Sequence, residues 1–501
     1  MNKRKFSDIL FQNKVVLLFV VLCIGATIAS KQPLTFVAGE LFTRIARNAF
    51  IVLALIIPVI AGMGLNFGIV IGAMAAQVAI FLTTYWGLAG VGGFFATVAL
   101  ATPIAILFGF MVGKLFNMIK GNEMIGGLVL GYFAEGFYQL LFLFIFGGVI
   151  PMHNSTLMIA TGVGVKNTID LSGTVKYALD TISMLTIIEV GFYLVVLGIV
   201  VSTIFKLAKK QAVEWKSVLG RLIAAAVLYA LTYIGPVEQF LAADRLLLLS
   251  AVEIACLVMV LWQIYGFVSW KRREQAIRME DGGTRELVHH PFPRERAIGT
   301  ILAAAVIYGL TYVPAIYDIL IAVRLPVMTF LCIGGLCVFN NLLMHTRLGQ
   351  NMRTVGQNRA VANAAGINVD RTRIIAMIFS TVLASWGQLI FLQNVGTLST
   401  YGAHTQVGQF AIAALLVGGA SVQKANNKQA LLGIVLFHAL FIVSPLAGKE
   451  LFGDAVIGEY FRVFVSYGVI AMALAMHAWK KAVPAAKEKD NEDKKAAAGI
   501  V

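Results

Sequence analysis

Three carboxylates lie inside apolar runs: Glu135 in GYFAEGFYQLL, Glu189 in TIIEVGFYL and Glu253 in SAVEIACL. An ionisable group at mid-bilayer depth costs roughly 2.5–3.5 kcal/mol on insertion scales, so each needs a partner or a task. The task would be hydrogen bonding to a polar solute moving through the protein. The ordinary alternative, and the commoner one, is hydrogen bonding between neighbouring helices. Glu135 comes first because Phe133, Phe137 and Tyr138 beside it supply rings that stack on a sugar or a base. Glu253 comes last because it adjoins a repeated segment. Asn66, Gln388 and His438 are neutral groups suited to the same task. The expected solute path is therefore Glu135, Tyr138, Glu189, Asn66 and Gln388. No cluster of His, Asp or Glu suggests catalysis. The four cysteines, Cys23, Cys256, Cys332 and Cys337, lie in apolar runs without metal-ligand spacing, and His289–His290 lacks a Cys or carboxylate at ligand distance.

The elements that must position these groups follow from composition. The chain is 59% hydrophobic and 13% charged, against roughly 25% charge in soluble proteins. The fold class is an all-α polytopic membrane protein. About fourteen apolar runs approach the ~20 residues that cross a bilayer, fewer if some are re-entrant. The first run, within residues 1–30, reads as a span and not as a signal peptide, because its core is long and no small-x-small cleavage site follows. Two runs, 48–65 and 67–85, follow a segment from Lys31 to Asn48 that reads as a helix lying on the outer surface; the last run is 459–479. With the N-terminus in the cytoplasm, most of the 40 Lys and Arg fall on the inner side while the acids are balanced, which places both termini inside. The net charge of +15 is thus a topology signal, its natural neighbour is membrane lipid, and nucleic acid is excluded as a partner.

Four regions follow: N-terminal transmembrane helices over 1–205 with an outer loop 148–181 holding a short amphipathic helix; inserted helix pairs over 206–322; C-terminal transmembrane helices over 323–480 with a cytoplasmic loop 345–372; and a disordered charged tail, 481–501. The insertion rests on a repeat. RLIAAAVLYALTYIGPVEQFLAADR, Arg221–Arg245, aligns without gaps on TILAAAVIYGLTYVPAIYDILIAVR, Thr300–Arg324, with 11 of 25 positions identical at an offset of 79. A shift by a whole helix pair preserves orientation, so the copies run in the same sense.

One polar stretch interrupts the apolar runs: VGQNRAVANAAGINVDRTR, Val355–Arg373. Asn358 suits a helix start and Gly366 a helix stop. Ala360, Ala362, Ala364 and Ala365 permit close backbone approach, and Arg359, Arg371 and Arg373 suit acidic groups on a partner. In register, Arg353, Gly356, Asn358, Ala362, Gly366 and Ile367 resemble the cytoplasmic loop of permease subunits in bacterial ABC importers of the ribose and simple-sugar, nucleoside and branched-chain amino acid type. AIAALLVGGAS, Ala411–Ser421, resembles a second stretch of that family, and GMGLNFGIVIGAMAA, Gly62–Ala76, its Gly-rich broken helix. The chain departs in carrying VQKANNKQ where the family turns on glycines, Phe410 where an acid often stands, and no acid at Gly64–Asn66.

The resemblance implies a transmembrane permease subunit of an ATP-driven importer of a small polar solute, in a bacterial inner membrane. It implies that Arg353, Gly356, Asn358, Ala362, Gly366 and Ile367 couple the chain to ATPase subunits. It also implies a second permease subunit, identical or homologous, and an extracytoplasmic solute-binding protein. No G-x-x-x-x-G-K-[ST] motif occurs, so ATP and Mg belong to partner subunits and this chain carries no cofactor. The alternatives are an ion-coupled secondary transporter, which would show inverted repeats, and a polytopic membrane enzyme, which would show a polar cluster at one membrane face.

Overall fold

The computed structural model describes residues 14–464 apart from 160–162, 210–213 and 281–293, together with 467–468 and 471. The charged tail 481–501, His289 and His290, and much of the 459–479 run lie outside the described residues. What is described is almost entirely helical, because in hydrocarbon only a helix or a closed barrel satisfies its own backbone polar groups.

Among the described residues, nine helices are long and apolar enough to cross a membrane, ten if the pair Arg294–Leu310 and Pro314–Ala322, bent by 87°, counts as one. Three shorter apolar helices, Val15–Ser30, Ile69–Tyr85 and Ala403–Val417, account for further runs. The fourteen expected runs correspond to these nine helices, the bent pair, the three shorter helices and the 459–479 run, most of which lies outside the described residues.

Two units are compact. The larger comprises 1–32, 43–244 and 327–501; the smaller comprises 33–42 and 245–326. The larger begins with α1, Lys14–Ser30, and continues through α2, Leu34–Ala54, whose first residues belong to the smaller unit. The expected surface helix before Asn48 is not separate: α2 and α3, Ile56–Ile60, together make one apolar stretch of 27 residues, Leu34–Ile60, and the break comes after it. Residues 61–68 are non-helical, and Gly62 and Gly64 have φ of +74° and +73°. Then come α4, Ile69–Tyr85, α5, Gly90–Met118, and α6, Glu123–Leu140, which runs on through a π-turn to Val149. The loop that follows contains no helix among its described residues. Its order comes from strand β1, Thr168–Asp170, which pairs antiparallel with β4, Thr397–Ser399.

The repeat is visible in local structure. Its first copy is α8, Trp215–Ala230, a 3-10 turn, Leu231–Tyr233, and α9, Gly235–Leu241, all preceded by α7, Met184–Ala208. The second is α11, Arg294–Leu310, and α12, Pro314–Ala322, preceded by α10, Leu248–Glu280. In one copy the hydroxyls of Tyr229 and Tyr233 are 2.8 Å apart; in the other those of Tyr308 and Tyr312 are 2.9 Å apart. Thr232 and Thr311 each donate back to the first tyrosine's carbonyl at 2.6 Å. Within the smaller unit, β2, Arg245–Leu247, pairs antiparallel with β3, Arg324–Pro326, with Leu246 opposite Leu325.

The larger unit closes with α13, Val327–His345, α14, Arg347–Gln357, α15, Arg359–Ala364, α16, Val369–Val395, then β4, α17, Ala403–Val417, and α18, Asn427–Phe452. Its centre is α16, which lies against α4 and α5. Contact is close because a Cβ at Gly72 would meet the Thr381 carbonyl at 2.6 Å and one at Gly109 the Ile378 Cα at 2.7 Å. Small residues substitute backbone packing for the hydrophobic drive that lipid does not supply.

Candidate functional site

The segment after α14 is punctuated residue by residue. The Asn358 side chain accepts from the N–H groups of Ala360 and Val361 at 2.9 and 3.2 Å and so caps α15. Gly366 ends it with φ +77°, a left-handed conformation that costs other residues roughly 1–2 kcal/mol. The Ile367 N–H returns to the Ala362 carbonyl at 3.0 Å. Asn368 then caps α16 by accepting from Arg371 at 2.9 Å.

This segment is fastened to the broken helix by backbone contact. A Cβ on Gly356 would lie 2.0 Å from the Ile60 carbonyl oxygen and 2.9 Å from the Gly62 nitrogen. Of α15 only Ala362 is buried; Ala360, Asn363, Ala364 and Val361, at 58% exposure, face outward. Arg353 is exposed on α14, and Gly366 and Ile367 line a cleft of about 620 Å³ with Lys120 and Asp370. All six loop residues therefore belong to one small region.

The arginines are used differently from expectation. Arg359 and Arg373 both donate to one oxygen of Glu123, at 2.5 and 2.6 Å. Arg359 also reaches the Gly62 carbonyl at 3.3 Å, and Arg373 the Phe116 carbonyl at 3.2 Å. Arg373 is wholly buried, and its Nε and Nη1 have no hydrogen-bond partner among the described residues. These two cations hold their own chain together; Arg371 is the one that remains exposed.

Along α6 from Glu123 the chain enters a cavity of about 870 Å³. Its wall carries the rings of Phe67, Tyr132, Phe391, Tyr401 and Phe410 among aliphatic and polar side chains, and Thr397 and Ser399 of β4 also line it. Glu135 and Glu459 supply carboxylates to it, the latter paired with Arg462. One oxygen of Glu135 meets His404 Nε2 at 2.5 Å and accepts from Thr405 at 2.9 Å; the other accepts from Gln139 at 3.2 Å. His404 is fully buried and its ring lies 4.6 Å from that of Tyr138.

Of the five expected path residues, Glu135 lines this cavity and the other four do not. Tyr138 lies just behind it, donating to Gln77 at 2.7 Å. Asn66 is buried in the broken segment and donates to Ser380 at 3.4 Å. Gln388 is buried on α16, with neither end of its amide hydrogen-bonded among the described residues. Glu189 is on α7, which has no buried residue.

Four polar residues had no place in the sequence reading. Glu123 is the first acid after Glu40; a lone acid on a basic membrane face was its available signal. His404 and Thr405 had none, since they meet Glu135 across some 270 positions. Asp180 was taken for loop. It is buried, accepting from Thr329 at 2.5 Å, Gln393 at 3.0 Å and Asn394 at 3.1 Å, and so fixes the outgoing loop to α13 and the end of α16.

Comparison with known proteins gives sequence relatives only. The ribose import permease protein RbsC of Escherichia coli K12 is 31% identical over 134 residues, covering 26% of this chain and 39% of that protein. The nucleoside ABC transporter permease protein NupC of Lactococcus lactis is 30% identical over 147 residues, covering 29% and 44%. The xylose transport system permease protein XylH of Haemophilus influenzae is 25% identical over 212 residues, covering 42% and 52%. The chain thus spans about half or less of the length of the curated relatives it matches. No family model and no solved structure matches it. The similarity implied by the loop is found: the curated relatives are sugar and nucleoside permeases.

Proposed function

We propose that the chain is the membrane-spanning permease of an ATP-driven importer for a small polar solute, a sugar or a nucleoside, in a bacterial inner membrane with both termini cytoplasmic. The observation that carries this reading is α15: a short capped helix with an outward face of small residues, set rigidly on the protein by Gly356 and Arg359. Such a piece suits a groove on a separate ATPase subunit, since small side chains let two backbones approach and rigidity lets force pass. The asymmetry of Lys and Arg supports the orientation. A second permease subunit and an extracytoplasmic binding protein complete the assembly in this reading.

Solute would enter past β4 and rest in the cavity, stacked on its rings and hydrogen-bonded to Glu135. The buried His404 and the half-buried Thr405 hold that carboxylate in place. Changing Val361 to Asp puts a charge on the exposed face of α15 without touching its core. Capture of the cognate ATPase subunit from detergent extracts is expected to fall about tenfold or more, with the thermal unfolding of the permease unchanged. Retained capture overturns the docking assignment. Changing Glu135 to Gln keeps shape and removes charge. A lost charge-assisted hydrogen bond of ~1.5–3 kcal/mol corresponds to roughly tenfold or more in solute affinity, read as the solute concentration that half-maximally stimulates ATP hydrolysis.

A further inference from the structure

We propose that α6 is a lever joining the docking helix to the cavity wall, with Glu123 as the positioning residue at its driven end. The inference rests on the reading of α15 as the docking piece but concerns what lies behind it.

α6 is unusual among the helices of the larger unit in how it is held. Three of its residues are buried: Glu123, Gly127 and Tyr138. Glu123 is gripped by Arg359 of α15 and by Arg373 of α16. Tyr138 is bonded to Gln77 of α4. Gly127 lies between them, where a Cβ would come 3.1 Å from the Phe116 ring and 3.4 Å from the Gly68 nitrogen. Gly131, four residues on and on the same face, sits over the Phe67 carbonyl. These two bare positions one turn apart let the helix lie close against the broken segment, where the Met124 side chain also packs near Gly64. Polar contacts fasten the helix at its base and beyond its middle.

Glu135 lies twelve residues from Glu123, about 18 Å along a helix at ~1.5 Å per residue. It meets His404 and Thr405 of α17, of which Thr405 lines the cavity. A shift of α15 therefore pulls on Glu123 through Arg359, and the unbroken helix carries that displacement to the Glu135 contact. Arg373 supplies the pivot, because its guanidinium is fixed on α16 by burial and by the Phe116 carbonyl. Arg359, partly exposed, is the member free to follow the docking helix.

The test uses the full-length chain in lipid nanodiscs without any partner, so its result is independent of whether an ATPase binds. A single cysteine replaces Tyr132, on the cavity side of α6, with the four native cysteines changed to alanine; a second version carries it at Val395 on the α16 wall. Removing the grip with Arg359→Gln is expected to raise the rate of maleimide reaction at 132 by at least about fivefold, the low end of coupling between separate sites. Arg359→Lys should restore most of the original rate, and position 395 should not respond. An unchanged rate at 132, or an equal change at 395, overturns the lever. In the chain with its native cysteines, hydrogen exchange over 128–140 gives the same reading: faster in Arg359→Gln if the lever holds, unchanged if it does not. Loss of ATPase capture with an intact response at 132 would be a fault of the docking assignment and not of the lever.

Discussion

Gly356→Ala is expected to abolish assembly with an ATPase subunit, while Gly366→Ala, ten residues away, only weakens it. The two glycines stand in the same loop for different reasons. A methyl group on Gly356 would lie 2.0 Å from the Ile60 carbonyl oxygen, backbone on both sides. Neither strand of chain has a flexible end to move, so α14 must lift off the broken segment. Overpacking of this kind costs about 1–3 kcal/mol, occasionally more. It also moves the start of α15, since Asn358 follows two residues later. At Gly366 a Cβ meets nothing within 4 Å, and the cost is the φ of +77° alone, roughly 1–2 kcal/mol. The check is paired: co-purification of the ATPase subunit and thermal unfolding, measured for both variants. Equal effects at the two positions would mean that the Gly356–Ile60 contact does not position the docking helix.

The second large effect concerns Glu123. It pairs with Arg373, which is wholly buried, and with Arg359, which is partly exposed. Removing the carboxylate with Glu123→Ala leaves a buried guanidinium whose remaining nitrogens are already without partners among the described residues. An uncompensated buried charge of this type costs about 3–5 kcal/mol. Arg359 adds little to that cost because water reaches it. The rise is expected to vanish in Glu123→Leu combined with Arg373→Met, since replacing a buried pair by apolar groups is often neutral or stabilising. Thermal unfolding in one detergent reads both. If Glu123→Ala unfolds with the parent, the arginine is not dry. If the double variant is no better than the single one, the penalty comes from packing and not from charge.

How much of this was legible beforehand differs by element. The punctuation of the loop between α14 and α16 was: Asn358 caps and Gly366 stops because those residue types favour those backbone states wherever they occur. The break at 61–68 was anticipated only through the family resemblance of GMGLNFGIVIGAMAA, since the run 48–65 was read as continuing through Gly62 and Gly64. The outer loop was not. Its strand β1 exists because β4, more than two hundred residues later, offers it a backbone edge, and no local propensity over Thr168–Asp170 announces that. The helix Leu34–Ala54 was read as two pieces because Leu34, Val37, Leu41 and Ile45 are spaced like one face of a surface-lying helix, yet Arg47 farther along it is paired to Asn394 at 2.9 Å.

The sequence by itself determined class, helical content and the resemblance to sugar and nucleoside permeases. Hydropathy, composition and short motifs are local properties, and each is decided by residues within a turn or a loop of one another. Tertiary structure alone decided which charges meet. Arg359 and Arg373 looked like handles for a partner until Glu123, some 240 positions earlier, claimed both. Glu135 looked like an isolated acid until His404 and Thr405 closed on it. A buried charge must find its counterion wherever packing brings one near, and packing takes no account of distance along the chain.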